Sequence, residues 1–98
     1  MSVITDVAII AHDSEQDAVA ALCSALRIMP GQLGDGFRLN GGTKVGSLAA
    51  WGGAFNYLDW EDFCEAAKSA PWKFPDWVTV VRLHESDDVP LRLGIADL

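Results

Sequence analysis

Residues 3–11 carry apolar side chains at odd and even positions alike, the pattern of a central β-strand covered on both faces, here labelled β1. The run breaks at Asp13-Ser14-Glu15-Gln16-Asp17, where Ser14 is placed to cap a helix and Asp17 falls in its electropositive first turn. Ala18, Leu22, Ala25, Leu26 and Met29 then recur at steps of three and four, predicting a helix α1 with one buried stripe that stops at Pro30-Gly31. Past a glycine-rich loop, residues 36–39 (β2) and 47–57 (β3) read as strands joined around Asn40-Gly41-Gly42, a tight-turn sequence. In β3 the period of two puts Trp51, Gly53, Phe55 and Tyr57 on one face and Ala50, Gly52 and Ala54 on the other.

Leu58-Asp59-Trp60-Glu61-Asp62-Phe63 announces a second helix, α2, with Asp59 as its cap and Leu58 positioned to staple onto Phe63. Trp60, Phe63, Cys64 and Ala67 share one side of it, Glu61, Asp62, Glu65 and Lys68 the other, and it ends before Pro71. Residues 71–77 hold two prolines and three aromatics, which predicts an irregular aromatic loop. Residues 78–84 (β4) and 89–95 (β5) read as strands flanking the turn 85–88, with Pro90 marking β5 as an edge strand.

The order β1-α1-β2-β3-α2-β4 predicts an α+β domain spanning residues 1–98, of the ferredoxin-like split βαβ plan, with β5 as an extra C-terminal edge strand. In spatial order 4-1-3-2, β1 and β2 run one way and β3 and β4 the other, so His12 and His84 fall at opposite poles. One pole collects Asp35, Asp59, Glu61, Asp62, Glu85, Asp87 and Asp88, half of the fourteen acids, and the other holds His12 and the aromatic loop. Within that loop Trp77 is expected to cap the core, and Trp72 to be free for recognition. Helices on one face leave the other open, and alternation assigns Asp6, Arg82, His84 and Arg92 to it, among Ile10, Val78 and Val80. An apolar face holding arginines fits an interface, most simply that of a homodimer.

A net charge of −7 opposes direct binding to nucleic-acid phosphates and to anionic membranes. No apolar run approaches the roughly 18 residues of a membrane span and residues 1–6 lack a basic leader, so a cytoplasmic location is expected. Cys23 and Cys64 are far apart without C-x-x-C spacing, and both read as small buried hydrophobes. Neither glycine cluster sits between a strand and a helix as a nucleotide loop must, and no D-x-D-x-D-G calcium loop is present. Ser14, His12 and Asp13 suggest a triad on paper, but no G-x-S-x-G accompanies them and neighbours on a strand end point to alternate sides. No catalytic, cofactor-binding or metal-ligating residue is therefore assigned, and no cofactor is expected.

The run from Trp51 to Phe63 (WGGAFNYLDWEDF), followed by Ala70-Pro71-Trp72 and Val78-Thr79-Val80-Val81, resembles small uncharacterised proteins of actinobacteria and their phages. That resemblance implies a setting in which small proteins bind and modulate host proteins. The expected function is a non-enzymatic protein-interaction module, a phage or mobile-element protein directed at a host protein. Its candidate interface comprises the loop residues Trp72, Phe74 and Trp77, the acids Asp59, Glu61, Asp62, Glu65, Asp87 and Asp88, and the sheet arginines Arg82 and Arg92. Two alternatives stand beside it. One is a cofactor-independent dimeric α+β barrel enzyme acting on a small aromatic molecule in a pocket lined by Trp51, Asn56, Tyr57 and His84. The other is an acidic mimic of nucleic acid.

Overall fold

The computed structural model describes residues 4–27, 33, 37–38 and 47–98. β1 (Ile4–His12) leads through a 3-10 turn at Asp13–Glu15 into α1 (Gln16–Leu26). β2 (Phe37–Arg38), β3 (Leu48–Asn56), α2 (Trp60–Ser69), β4 (Thr79–His84) and β5 (Leu91–Gly94) follow, with further 3-10 turns at Pro75–Trp77 and Ile95–Asp97. The fold is α+β. β1 to β4 form an antiparallel sheet with β5 along the outer edge of β4, in the order β2-β3-β1-β4-β5 with every neighbour antiparallel.

Both helices cover one face of this sheet. Val7, Ile9 and Ala11 of β1, Trp51 of β3 and Val80 of β4 meet Val19, Leu22 and Cys23 of α1 and Phe63 and Ala67 of α2 in a single core. Among the described residues β1 is covered on this face alone, against the cover on both sides expected for it. Thr5, Val7, Ile9 and Ala11 are buried, while Ile4 and Asp6 on the opposite face are exposed and Ala8 and Ile10 half-buried. Apart from Thr5 and Asp6 both sets are apolar, so the pattern alone does not distinguish a strand covered twice from one whose second face is merely greasy.

Registry also corrects the face assigned to the β4 residues. Val7 lies opposite Arg82, Thr5 opposite His84 and Ile9 opposite Val80, and directly paired residues share a face. Arg82 and His84 are thus on the helix side, where the Arg82 guanidinium carbon sits 4.8 Å from the Trp60 ring centroid, and Val78 and Val80 are core. Asp6, Ile10 and Arg92 keep the open face, since Asp6 pairs with Leu83 and Arg92 with Val81.

Helix α1 ends earlier than its hydrophobic spacing suggests. Arg27 adopts a left-handed conformation at φ 57° and turns its amide onto the carbonyls of Cys23 and Ser24. Ala25 is exposed, and Val19 and Cys23 replace it in the buried stripe; Met29 and the Pro30-Gly31 stop lie outside the described residues. Ser14 is not the cap. The His12 imidazole accepts the Ser14 amide instead, because the chain leaves β1 through a 3-10 turn and places His12 at the capping position.

Helix α2 starts as its sequence specifies, with the Asp59 carboxylate accepting the Asp62 amide at 3.2 Å and Leu58 packed against the core that contains Phe63. Trp60 stacks on Phe63 with ring centroids 5.2 Å apart. On β3 the face assignment holds for Trp51, which is buried, and Phe55, which packs on the core. Tyr57 is beyond the strand: its left-handed backbone, φ 55°, throws the ring outward, 67% exposed. The expected turn at Asn40-Gly41-Gly42 lies outside the described residues.

Candidate functional site

The aromatic segment after α2 is tied down from below. Ala70 is extended, as a residue before proline must be, which ends α2 and brings Trp72 back under the helix to donate its Nε1–H to the Ala67 carbonyl at 2.6 Å. Beyond it, the Glu15 carboxylate accepts the Lys73 amide at 2.8 Å through one oxygen and the Phe74 amide at 3.0 Å through the other. Glu15 is only 1% exposed, so both acceptor oxygens are engaged inside the protein.

Above this clasp the chain makes one 3-10 turn, started by Pro75 with its preset φ. The turn lays Phe74 against Trp77 with centroids 4.8 Å apart and planes 17° from parallel. The His12 ring meets Phe74 edge-on at 5.2 Å and Trp77 at 6.1 Å. Phe74 remains 40% exposed and Trp77 58%. The two tryptophans thus exchange the roles read from the sequence: Trp72 packs on the core and Trp77 faces solvent. The reason is tertiary, because the Ala67 carbonyl near the C-terminus of α2 lies within reach of the Trp72 indole N–H, whereas Trp77 stacks on the outward side of Phe74 near His12.

Glu15 was missed in the polar run Asp13 to Asp17, which reads as a solvated helix start. A signal was present, since positions 15, 18, 19, 22, 23 and 26 form one continuous helical stripe and Glu15 occupies its first place.

At the opposite pole, many of the acids are committed to local structure. Asp59 caps α2, and Glu85 accepts the Ile4 amide at 2.8 Å. Asp87 accepts the His84 amide at 2.8 Å and faces the Arg82 guanidinium at 3.3 and 3.4 Å. The His84 amide holds the Asp87 carboxyl below the usual carboxylate range against the opposing effect of desolvation, and the Arg82 charge adds a smaller pull in the same direction as the amide. Arg82 in turn lies over the Trp60 ring, so it belongs to a structural cluster under α2. Glu61 and Asp88 are exposed. Asp62 and Glu65, also exposed, line an open groove of about 550 Å³ between α1 and α2 together with Leu26, Arg27 and Ala66. Asp35 lies outside the described residues.

The two histidines stand at opposite ends of β1, His12 itself and His84 beside Thr5, roughly 20 Å apart at about 3.3 Å per strand residue. Each binds the serine two residues on. His12 Nδ1 accepts the Ser14 amide and meets its hydroxyl at 2.7 Å, and His84 Nδ1 does the same with Ser86 at 2.8 Å. Asp13 also approaches His12 Nδ1, at 3.2 Å. A relay requires serine and carboxylate on opposite ring nitrogens, and here both crowd one, so this cluster fixes a strand end and builds no triad.

The pocket drawn for a barrel-type enzyme does not assemble. Trp51 is in the core, Asn56 is on the opposite face of β3, and Tyr57 projects outward. Burial raises the Cys23 thiol pKa; it also raises that of Cys64, where Lys68 and Arg82 pull the other way, so neither sits in a thiolate-stabilising environment. Among the described residues no three His, Cys, Asp or Glu side chains converge as a metal site, and no helix is long and apolar enough to cross a membrane.

Compared with known proteins, the chain matches no family model, no curated protein and no solved structure.

Proposed function

We propose that this chain is a non-enzymatic protein-interaction module that engages a partner protein through the Phe74–Trp77 ring pair. The observation that carries the reading is the Glu15 clasp: a buried carboxylate holds the backbone of a turn whose two large rings point into water. Exposed aromatic rings with a fixed backbone bind at low entropic cost, and tryptophan is enriched among binding hot spots. The net charge of −7 favours a basic partner surface. The scaffold belongs to the ferredoxin-like split βαβ plan with β5 as an added edge strand, and the observed strand order and antiparallel pairing support that assignment. The chain acts in the cytoplasm as a phage or mobile-element protein that modulates a host protein.

The test is site-specific photocrosslinking in cells of the native host. Trp77→p-benzoylphenylalanine is expected to trap one discrete protein, whereas the same probe at Val89, an equally apolar and 72% exposed position at the other pole, is not. No adduct from position 77, or the same adducts from both positions, would overturn the proposal.

A further inference from the structure

The chain builds two stacked pairs of tryptophan and phenylalanine and completes them differently. In the first, Trp60 lies on Phe63 with centroids 5.2 Å apart and planes 9° from parallel, and the Arg82 guanidinium carbon sits 4.8 Å from the centre of the same indole. Asp87 holds that guanidinium from the side, 3.3 Å from its Nε. In the second, Phe74 and Trp77 stack in the same way, 4.8 Å and 17° apart, but among the described residues no cation lies over either ring. Phe74 takes one face of Trp77, and the indole is still 58% exposed, so its other face is open to water.

We propose that Trp77 receives an arginine supplied by the partner protein, whose guanidinium stacks on the open face of the indole and extends the Phe74–Trp77 stack by one layer. The inference rests on the partner site proposed above and names the group which that site takes. A flat face at the end of an aromatic stack accepts another flat group: a ring, a nucleic-acid base or a guanidinium. Charge selects among them. Three turns surround the pair: Asp13–Glu15, next to the His12 ring that meets both aromatics, Pro75–Trp77 itself, and Ile95–Asp97 packed beside it. They carry Asp13, Glu15, Asp76 and Asp97, with Asp76 and Asp97 exposed, and Lys73 is the one basic residue of the segment 71–77. These carboxylates and the negative π-face of the indole attract a cation and repel a phosphate. Guanidinium is planar and more weakly hydrated than an ammonium, so it leaves water for such a face more readily. The Trp60–Arg82–Asp87 group is the same combination of indole, guanidinium and carboxylate, assembled within the chain.

The test is a nuclear magnetic resonance titration of the isotope-labelled full chain, read at the Trp77 indole. The probe is a short glycine-spaced peptide carrying two arginines, and its lysine, citrulline and phenylalanine counterparts separate planarity, charge and plain aromatic stacking. The arginine peptide is expected to shift the Trp77 resonance saturably, with a Kd of about 1–10 mM for a single exposed stack, and to leave that of Trp60, already covered by Arg82, in place. The lysine and citrulline peptides should each bind about threefold more weakly or worse, since one lacks the flat group and the other the charge. Trp77→Leu, followed at the Phe74 amide, should lose about threefold or more in affinity while the rest of the spectrum shows it folded. No shift at Trp77 up to about 20 mM arginine peptide, equal binding of any of the three counterparts, or undiminished binding by Trp77→Leu would overturn the proposal. A discrete photocrosslinked partner without arginine preference would remove the guanidinium and keep the partner site, whereas arginine binding with no crosslink would do the reverse.

Discussion

Glu15→Ala removes the acceptor of two backbone amides at once. The side chain is 1% exposed and its oxygens stand 2.8 and 3.0 Å from the Lys73 and Phe74 nitrogens. A hydrogen bond to an ionised acceptor contributes about 1.5–3 kcal/mol, so the pair sets a gross loss of about 3–6 kcal/mol. Two effects reduce it: burying the carboxylate carries a desolvation cost that the variant no longer bears, and Lys73 and Phe74 are exposed enough for water to reach their amides. The net expectation is a destabilisation of about 2–4 kcal/mol. In a domain of 98 residues that lowers the melting temperature by roughly 8–32 °C, at about 4–8 °C per kcal/mol. Glu15→Gln retains one acceptor oxygen and should lose about half as much. Urea titration followed by tryptophan fluorescence measures the loss, and amide exchange at Lys73 and Phe74 reports whether it is local. A Glu15→Ala change under about 1 kcal/mol, or unaltered exchange at those two amides, would refute the idea that this carboxylate holds the aromatic turn in place.

Two further perturbations probe the sheet and the acidic pole. Because the Asp87 carboxyl is held below its unfolded-state range, its stabilisation is fully present above the unfolded pKa of about 4 and is lost as pH falls through the lower folded value. The stability gap between wild type and Asp87→Asn should accordingly be constant from about pH 7 to 5 and shrink below about pH 4, and a gap that widens on acidification would contradict the assignment. Gly52→Ala directs a methyl to within 2.8 Å of the Val7 carbonyl oxygen, which is backbone and cannot swing aside, so a loss of about 1–3 kcal/mol is expected in the same titration. A neutral or stabilising alanine would show that β3 and β1 can separate at no cost.

The amino-acid sequence alone determined the elements whose causes are local. Asp59 caps α2 because a short acceptor side chain precedes a run of good helix formers, and Ala70 ends it because Pro71 forbids helical geometry one residue earlier. Trp51 and Phe55 fall on the core face of β3 because a strand alternates its side chains whatever surrounds it. Tertiary structure decided the questions in which two local solutions are equally good. The apolar residues on both faces of β1 do not say which set the helices will cover, and the phase of β4 does not say on which side Arg82 lies until β1 pairs with it. The exchange of Trp72 and Trp77 follows the same logic, since either indole could cap the core and the carbonyl of Ala67 is within reach of only one. Glu15 is the plainest case: its place on the buried stripe is written in the helical period, but a charge belongs there only because two amides, more than fifty residues along the chain, arrive to meet it.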